Sequence, residues 1–162
     1  MSQHAPSPAD IEALADSLSA SANELHDSIM RAIRRNGTAD DAGADAGPPV
    51  THAEAQALFE QEVELRQRAN SLYVDSARFA VAGLSVPAQE MLRLAAQARE
   101  TIRRIDRARD LAGIVASLLG LAGAIVGRQP KDAAAALEDL KDNLAAFKAD
   151  SRKPDDAPTM GT

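Results

Sequence analysis

The residues best equipped for chemistry in this chain are three histidines, one knot of arginines and a few adjacent acids. His4, His26 and His52 are the only imidazoles, and the absence of cysteine excludes a thiol nucleophile, a thiolate metal site and a disulfide framework. His26 has Glu24 and Asp27 as close neighbours. Metal-binding helical bundles use Glu-x-x-His, which sets both ligands on one helix face, and neither that spacing nor His-Glu-x-x-His occurs. No metal and no cofactor is expected. Gly-x-Ser-x-Gly, a phosphate-cradling Gly-Lys-Ser/Thr loop and a dinucleotide fingerprint are missing too. The pairs Asp40-Asp41 and Asp155-Asp156 stand in loose segments where nothing would raise a carboxyl's pKa, so they read as solubilising charge. The expectation is a protein that is not an enzyme.

The arginines are Arg99, Arg103, Arg104, Arg107 and Arg109, with Asp106 and Asp110 among them and Glu100 ahead. One reading is a solvated helix surface, with Glu100 and Arg104 spaced for an exposed ion pair. The other gives Arg103, Arg104 and Arg107 an anionic contact, with a lipid headgroup or an acidic protein, just before the apolar segment described below. Nucleic acid is not expected, because the net charge is −6 and no aromatic residue is interleaved to stack on bases.

These residues must be positioned by helices. The 162 residues have room for one domain with a real core. They are 45% hydrophobic but only 2% aromatic, so the apolar content is mainly Ala, Leu, Ile and Val. With abundant Arg, Glu and Asp and no runs of β-branched residues, that composition favours an all-α fold. The N-terminal MSQHAPSPAD lacks the basic start and apolar stretch of a signal peptide. A cytoplasmic location is expected, with membrane association or export by a dedicated system as the alternative.

Four helices are predicted. The first runs from Pro8 to Arg35 within an amphipathic unit 1–37, capped by Ser7 with Asp10 at the capping-box position. Its stripe is Ile11, Leu18, Leu25 and Ala32, flanked by Ala15, Ala22 and Ile29, and Asn36-Gly37 is the stop. Residues 38–50, rich in Asp, Gly and Pro, read as a flexible linker. The unit 51–149 holds the rest. Its first helix starts at a Thr51/Glu54 capping box and carries Leu58, Glu62, Leu65, Ala69, Leu72, Ser76 and Phe79 to about Ala82. The next runs from Pro87 to Val126, about 60 Å long, with Met91, Ala98, Ile105, Ala112, Leu119 and Val126 at seven-residue intervals of coiled-coil type. A short fourth helix after Pro130 carries Ala133, Leu137, Leu140, Leu144 and Phe147, and the tail 150–162 reads as disordered.

If the second and third helices form an antiparallel hairpin, facing residue numbers sum to about 170. Leu72 then meets Ala98, Leu58 meets Ala112, and Glu62 meets Arg109. Glu62 and Arg109 each interrupt an apolar stripe, so they read as a buried pair that sets register, or as side chains that snorkel to solvent.

The most informative stretch is Leu111–Gly127, LAGIVASLLGLAGAIVG, which has no charge at all. A helix without a polar side has to be covered all round. One face continues the hairpin stripe. A second, Gly113, Ser117, Gly120 and Ala124, is small enough to seat Leu144, Leu140 and Leu137 of a folded-back fourth helix. The third, Leu111, Ile114, Leu118, Leu121 and Ile125, is left for the first helix, a protein partner, a second copy in a homo-oligomer, or membrane lipid. Seventeen residues is the short end of a membrane span. Protein–protein interaction, as adaptor, chaperone, inhibitor or self-assembling subunit, is the expected function. Membrane insertion of 111–127, as a pore-forming or anchored component, is the alternative.

Overall fold

A computed structural model describes residues 4–37, 50–81, 86–127 and 130–152. The protein is all-α. Among the described residues there are six helices and no strand: α1 (Pro8–Gly37), α2 (His52–Val74), α3 (Ser76–Val81), α4 (Ala88–Arg104), α5 (Ala108–Val126) and α6 (Pro130–Arg152). The linker assigned to 38–50 lies outside the described residues except for Val50, and so does most of the tail, since α6 continues to Arg152.

Helix α1 starts as its sequence dictates. The Ser7 Oγ accepts from the Asp10 N–H at 3.2 Å, and the Asp10 carboxylate accepts from the Ser7 N–H at 2.9 Å, so two donors of the first turn are satisfied reciprocally. At its far end the Asn36 side chain clasps Val50, donating to its carbonyl and accepting from its N–H at 3.1 Å. That clasp closes the two ends of the connection to α2. The Thr51/Glu54 capping box opens α2, with both bonds at 3.1 Å. Helix α1 is the centre of the fold. It runs antiparallel to α2 and α3, and alongside α4 in the same direction, from the Ala88 N–H on the His4 carbonyl (3.1 Å) to Ser28 on Ile102 (3.3 Å). Its stripe, Ile11, Leu14, Ala15, Leu18, Ala22, Leu25 and Ile29, is fully covered. Each buried Leu or Ile is worth roughly 1.5–3 kcal/mol.

The four-helix expectation is corrected in two places. The helix expected from Thr51 to Ala82 is interrupted at Asp75, where backbone angles of −114° and 26° leave the helical region. The long helix expected from Pro87 to Val126 breaks at Ile105–Arg107, where Ile105 and Arg107 are both extended (ψ 134° and 127°). The physical reason is coverage. Helix α1 fills the seam opposite α4, which the hairpin register had assigned to α2. A straight continuation would carry the second half of the helix past that cover. By breaking, the chain lays α5 against α2, where the Gln61 amide donates to the Ala112 carbonyl at 3.2 Å, and against α6.

The break also resets the buried face. Met91, Ala98 and Ile105 are buried, but the stripe resumes at Leu111, Leu118 and Ile125, one position earlier than the seven-residue series. Ala112, Leu119 and Val126 are left half-buried.

Candidate interaction surfaces

The residues expected to wait for a partner on the apolar segment are core residues. Leu111, Ile114, Leu118, Leu121 and Ile125 are all between 0% and 4% exposed, covered from within the chain. The open side of α5 is the other one. Gly113, Ala116 and Gly120 are exposed, and a Cβ built on Gly113, Gly120 or Gly123 would meet nothing within 4 Å. The leucines of α6 do not sit on these glycines as expected. Leu137, Leu140 and Leu144 are buried, but α6 is rotated so that Asn143 donates to the Ser117 hydroxyl. The uncharged segment therefore is not covered all round. Glycine and alanine present so little apolar area that leaving them in water is cheap, which removes the need for a polar side chain there.

Glu62 and Arg109 do not meet as the register assigned them. Glu62 lies on the side of α2 that faces α1, only 12% exposed, where its carboxylate takes His26 Nδ1 at 2.9 Å and the Arg66 guanidinium at 3.0 and 3.1 Å. The His26 ring also tilts against Phe59, with centroids 6.0 Å apart. Arg109 instead lines a polar cleft of about 570 Å³ with Arg107, Asp110, Asn143 and Phe147, between the start of α5 and α6. Of the three arginines proposed for an anionic contact, Arg107 lines this cleft, while Arg103 and Arg104 are exposed and both pair with Glu100, at 3.6 and 3.3 Å. The Glu100–Arg104 pair is the one the spacing predicted. Among the described residues no three acidic or imidazole groups gather closely enough to hold a metal ion.

One feature had no signal in the stripe pattern. An apolar groove of about 430 Å³ runs between the last turns of α1 and the first half of α2, lined by Ile33, Ala55, Phe59 and Val63, with His52, Gln56 and Glu60 at its rim. Val63 is 54% exposed and Ile33 37%, which makes them the bulkiest apolar side chains left open at this end of the bundle. In sequence they look like isolated outward residues. Only the antiparallel seam between α1 and α2 brings them onto one surface.

Two groups are electrostatically tuned by this arrangement. The Ser7 backbone N–H holds the Asp10 carboxyl below the usual carboxylate range, against a smaller opposing effect of partial burial, with help from the Ser7 hydroxyl and His4. The Asp16 carboxylate, hydrogen-bonded by the Tyr73 phenol, pushes that phenol's pKa up, and desolvation adds to the effect. Both contacts fasten α1, the first to its own start and the second to α2.

No family model matches this chain, and no curated protein or solved structure is significantly similar to it.

Proposed function

We propose that this helical-bundle protein is non-enzymatic and acts by binding protein, as an adaptor, chaperone, inhibitor or self-assembling subunit, through the groove between α1 and α2. The observation that carries the reading is the pairing of Val63 and Ile33, exposed, with Phe59 and Ala55 in a trough whose walls are mostly apolar. A trough between two helices accepts the apolar stripe of a third, and a cluster of open aliphatic and aromatic side chains is what such a helix buries. Beyond the rim residues His52, Gln56 and Glu60, the polar groups further along the same seam, His26, Glu62 and Arg66, satisfy one another, which supports a structural role for them over a catalytic one.

Sedimentation velocity over a hundredfold concentration range tests the reading. Self-association that disappears in Val63→Lys assigns the groove to a second copy. A monomer at every concentration assigns it to a different protein, to be sought with a photo-crosslinker at position 63. Failure of both ends the proposal.

A second reading is favoured by one observation. Helix α5 is long and apolar enough to cross a membrane, with mean hydropathy 1.7, and only 44% of its most apolar window is buried. On that reading the protein is membrane-active, and the basic residues ahead of α5 meet anionic headgroups. Flotation with anionic liposomes tests it. Ala116→Arg is the variant to use, since Ala116 is exposed and the change leaves the fold intact while blocking insertion. A cytoplasmic location accompanies the first reading and membrane association the second.

A further inference from the structure

The break between α4 and α5 contains no strong helix breaker. Residues 103–109, RRIDRAR, hold neither proline nor glycine, and arginine and alanine are among the best helix formers. The seven-residue series Met91, Ala98, Ile105, Ala112, Leu119 and Val126 runs through it without a slip. Local sequence therefore specifies one helix where the fold has two.

Helix α1 supplies what the break lacks. The Ser28 hydroxyl donates to the Ile102 carbonyl at 3.3 Å, the Arg31 guanidinium to the Arg103 carbonyl at 3.4 Å, and the Arg35 guanidinium to the Asp106 carbonyl at 3.2 Å. In a continuous helix these three carbonyls would accept from the N–H groups four residues on, those of Asp106, Arg107 and Asp110. The three side chains of α1 thus stand in for the intrahelical donors that the break removes, joined at the Ile102 carbonyl by the Ile105 N–H at 3.4 Å. The start of α5 has no comparable support, because Arg107 makes no side-chain capping bond. The break is held from the outside.

We propose that α4 and α5 form a two-state element whose broken state is imposed by docked α1. When α1's grip on 102–106 loosens, residues 105–107 turn helical and α4 and α5 join into one helix from Ala88 to Val126. The joining also turns α5 about its axis. The buried stripe Leu111, Leu118 and Ile125 gives way to Ala112, Leu119 and Val126, now half-buried, which fall in line with Met91, Ala98 and Ile105. One sequence thus carries two apolar faces on α5, one for each state.

The chain has no cysteine, so spin labels at Gln89→Cys and Ala116→Cys, both exposed, report on the full-length protein without background. The native chain should give one distance. Removing the three donors with Ser28→Ala, Arg31→Met and Arg35→Met should add a population near 40 Å, the span of 27 residues of continuous helix at about 1.5 Å each. Helix content by circular dichroism should rise slightly, and the amides of Asp106 to Asp110 should exchange more slowly, about tenfold where the joined state holds nine-tenths of the molecules. Ala108→Pro is the control. Proline suits the first turn of α5 after the extended Arg107, yet it cannot sit inside a continuous helix, so it should erase the 40 Å population. The proposal is overturned by an unchanged distance and unchanged exchange in the triple variant. It is equally overturned by loss of helix content, or by a long distance that survives Ala108→Pro.

Discussion

Helices α1 and α5 are both apolar, and they are covered in different ways. Over its 30 residues α1 alternates a sealed stripe with a charged outer side, and packs along α2, α3 and α4. Helix α5 has no charge beyond its first turn, yet it packs chiefly on α2 and α6 and leaves Gly113, Ala116 and Gly120 open. The difference shows that side-chain size, not the absence of charge, decides which face of a helix must be buried. Large residues on α5 sit inside and small ones outside, so the helix is amphipathic in volume where α1 is amphipathic in polarity.

The sharpest way to break this comparison is truncation of its two buried stripes. Leu25→Ala in α1 and Leu118→Ala in α5 should each lose about 2–5 kcal/mol in urea unfolding, since both side chains are fully enclosed. A loss under ~1 kcal/mol for Leu118 alone would mean that α5 is not part of the core. Enlarging small residues gives the next contrast. Ala22→Leu on α1 should cost about 1–3 kcal/mol through overpacking, whereas Ala116→Leu on α5 should stay within ~0.5 kcal/mol. Equal penalties would show that the outer side of α5 is occupied in solution. Gly120→Ala should stabilise by roughly 0.5–1 kcal/mol, raising the thermal midpoint, because the added methyl meets open space and the helix gains propensity.

The smallest effect lies at the start of α1. Its Asp10 carboxyl is depressed by the Ser7 N–H, so the stabilisation it gives is complete above the ordinary value of 3.8 and fades as pH falls through the lower folded value. Asp10→Asn should flatten the acid limb of the stability curve in that window. An unchanged acid limb would detach the cap from the stability of α1.

Much of this was legible beforehand, and the failures have two causes. Ser7 with Asp10 and Thr51 with Glu54 are local signals, and both capping boxes form. The stripe of α1 was readable because its charged face leaves only one way to bury it. The partner of Glu62 was assigned to Arg109 by a hairpin rule applied to the second and third helices alone. The same rule applied to α1 and the segment from Val50 through α2 into α3, with facing numbers summing to about 88, pairs His26 with Glu62, Asp16 with Tyr73, Glu12 with Ser76 and Asn36 with Val50. Residues 38–50 hid that register, because a connection of that length fixes no orientation. The breaks at Asp75 and at 105–107 were hard to read for a different reason: neither holds proline or glycine, a single aspartate in each is a weak signal, and the carbonyls of the second are met by side chains more than 70 positions away. The groove at Ile33, Phe59 and Val63 was missed for the same reason as the α1–α2 register that creates it.

Tyr73 is the only tyrosine in a chain without tryptophan, and its hydroxyl rests on Asp16 of α1. The protein consequently carries its own optical gauge. A carboxylate accepting the phenol's hydrogen bond dims tyrosine emission, so the tyrosine fluorescence of the unmodified chain is tied to a single seam. Brightening on addition of a binding partner or a lipid surface would mark the moment α1 parts from α2, with no label attached.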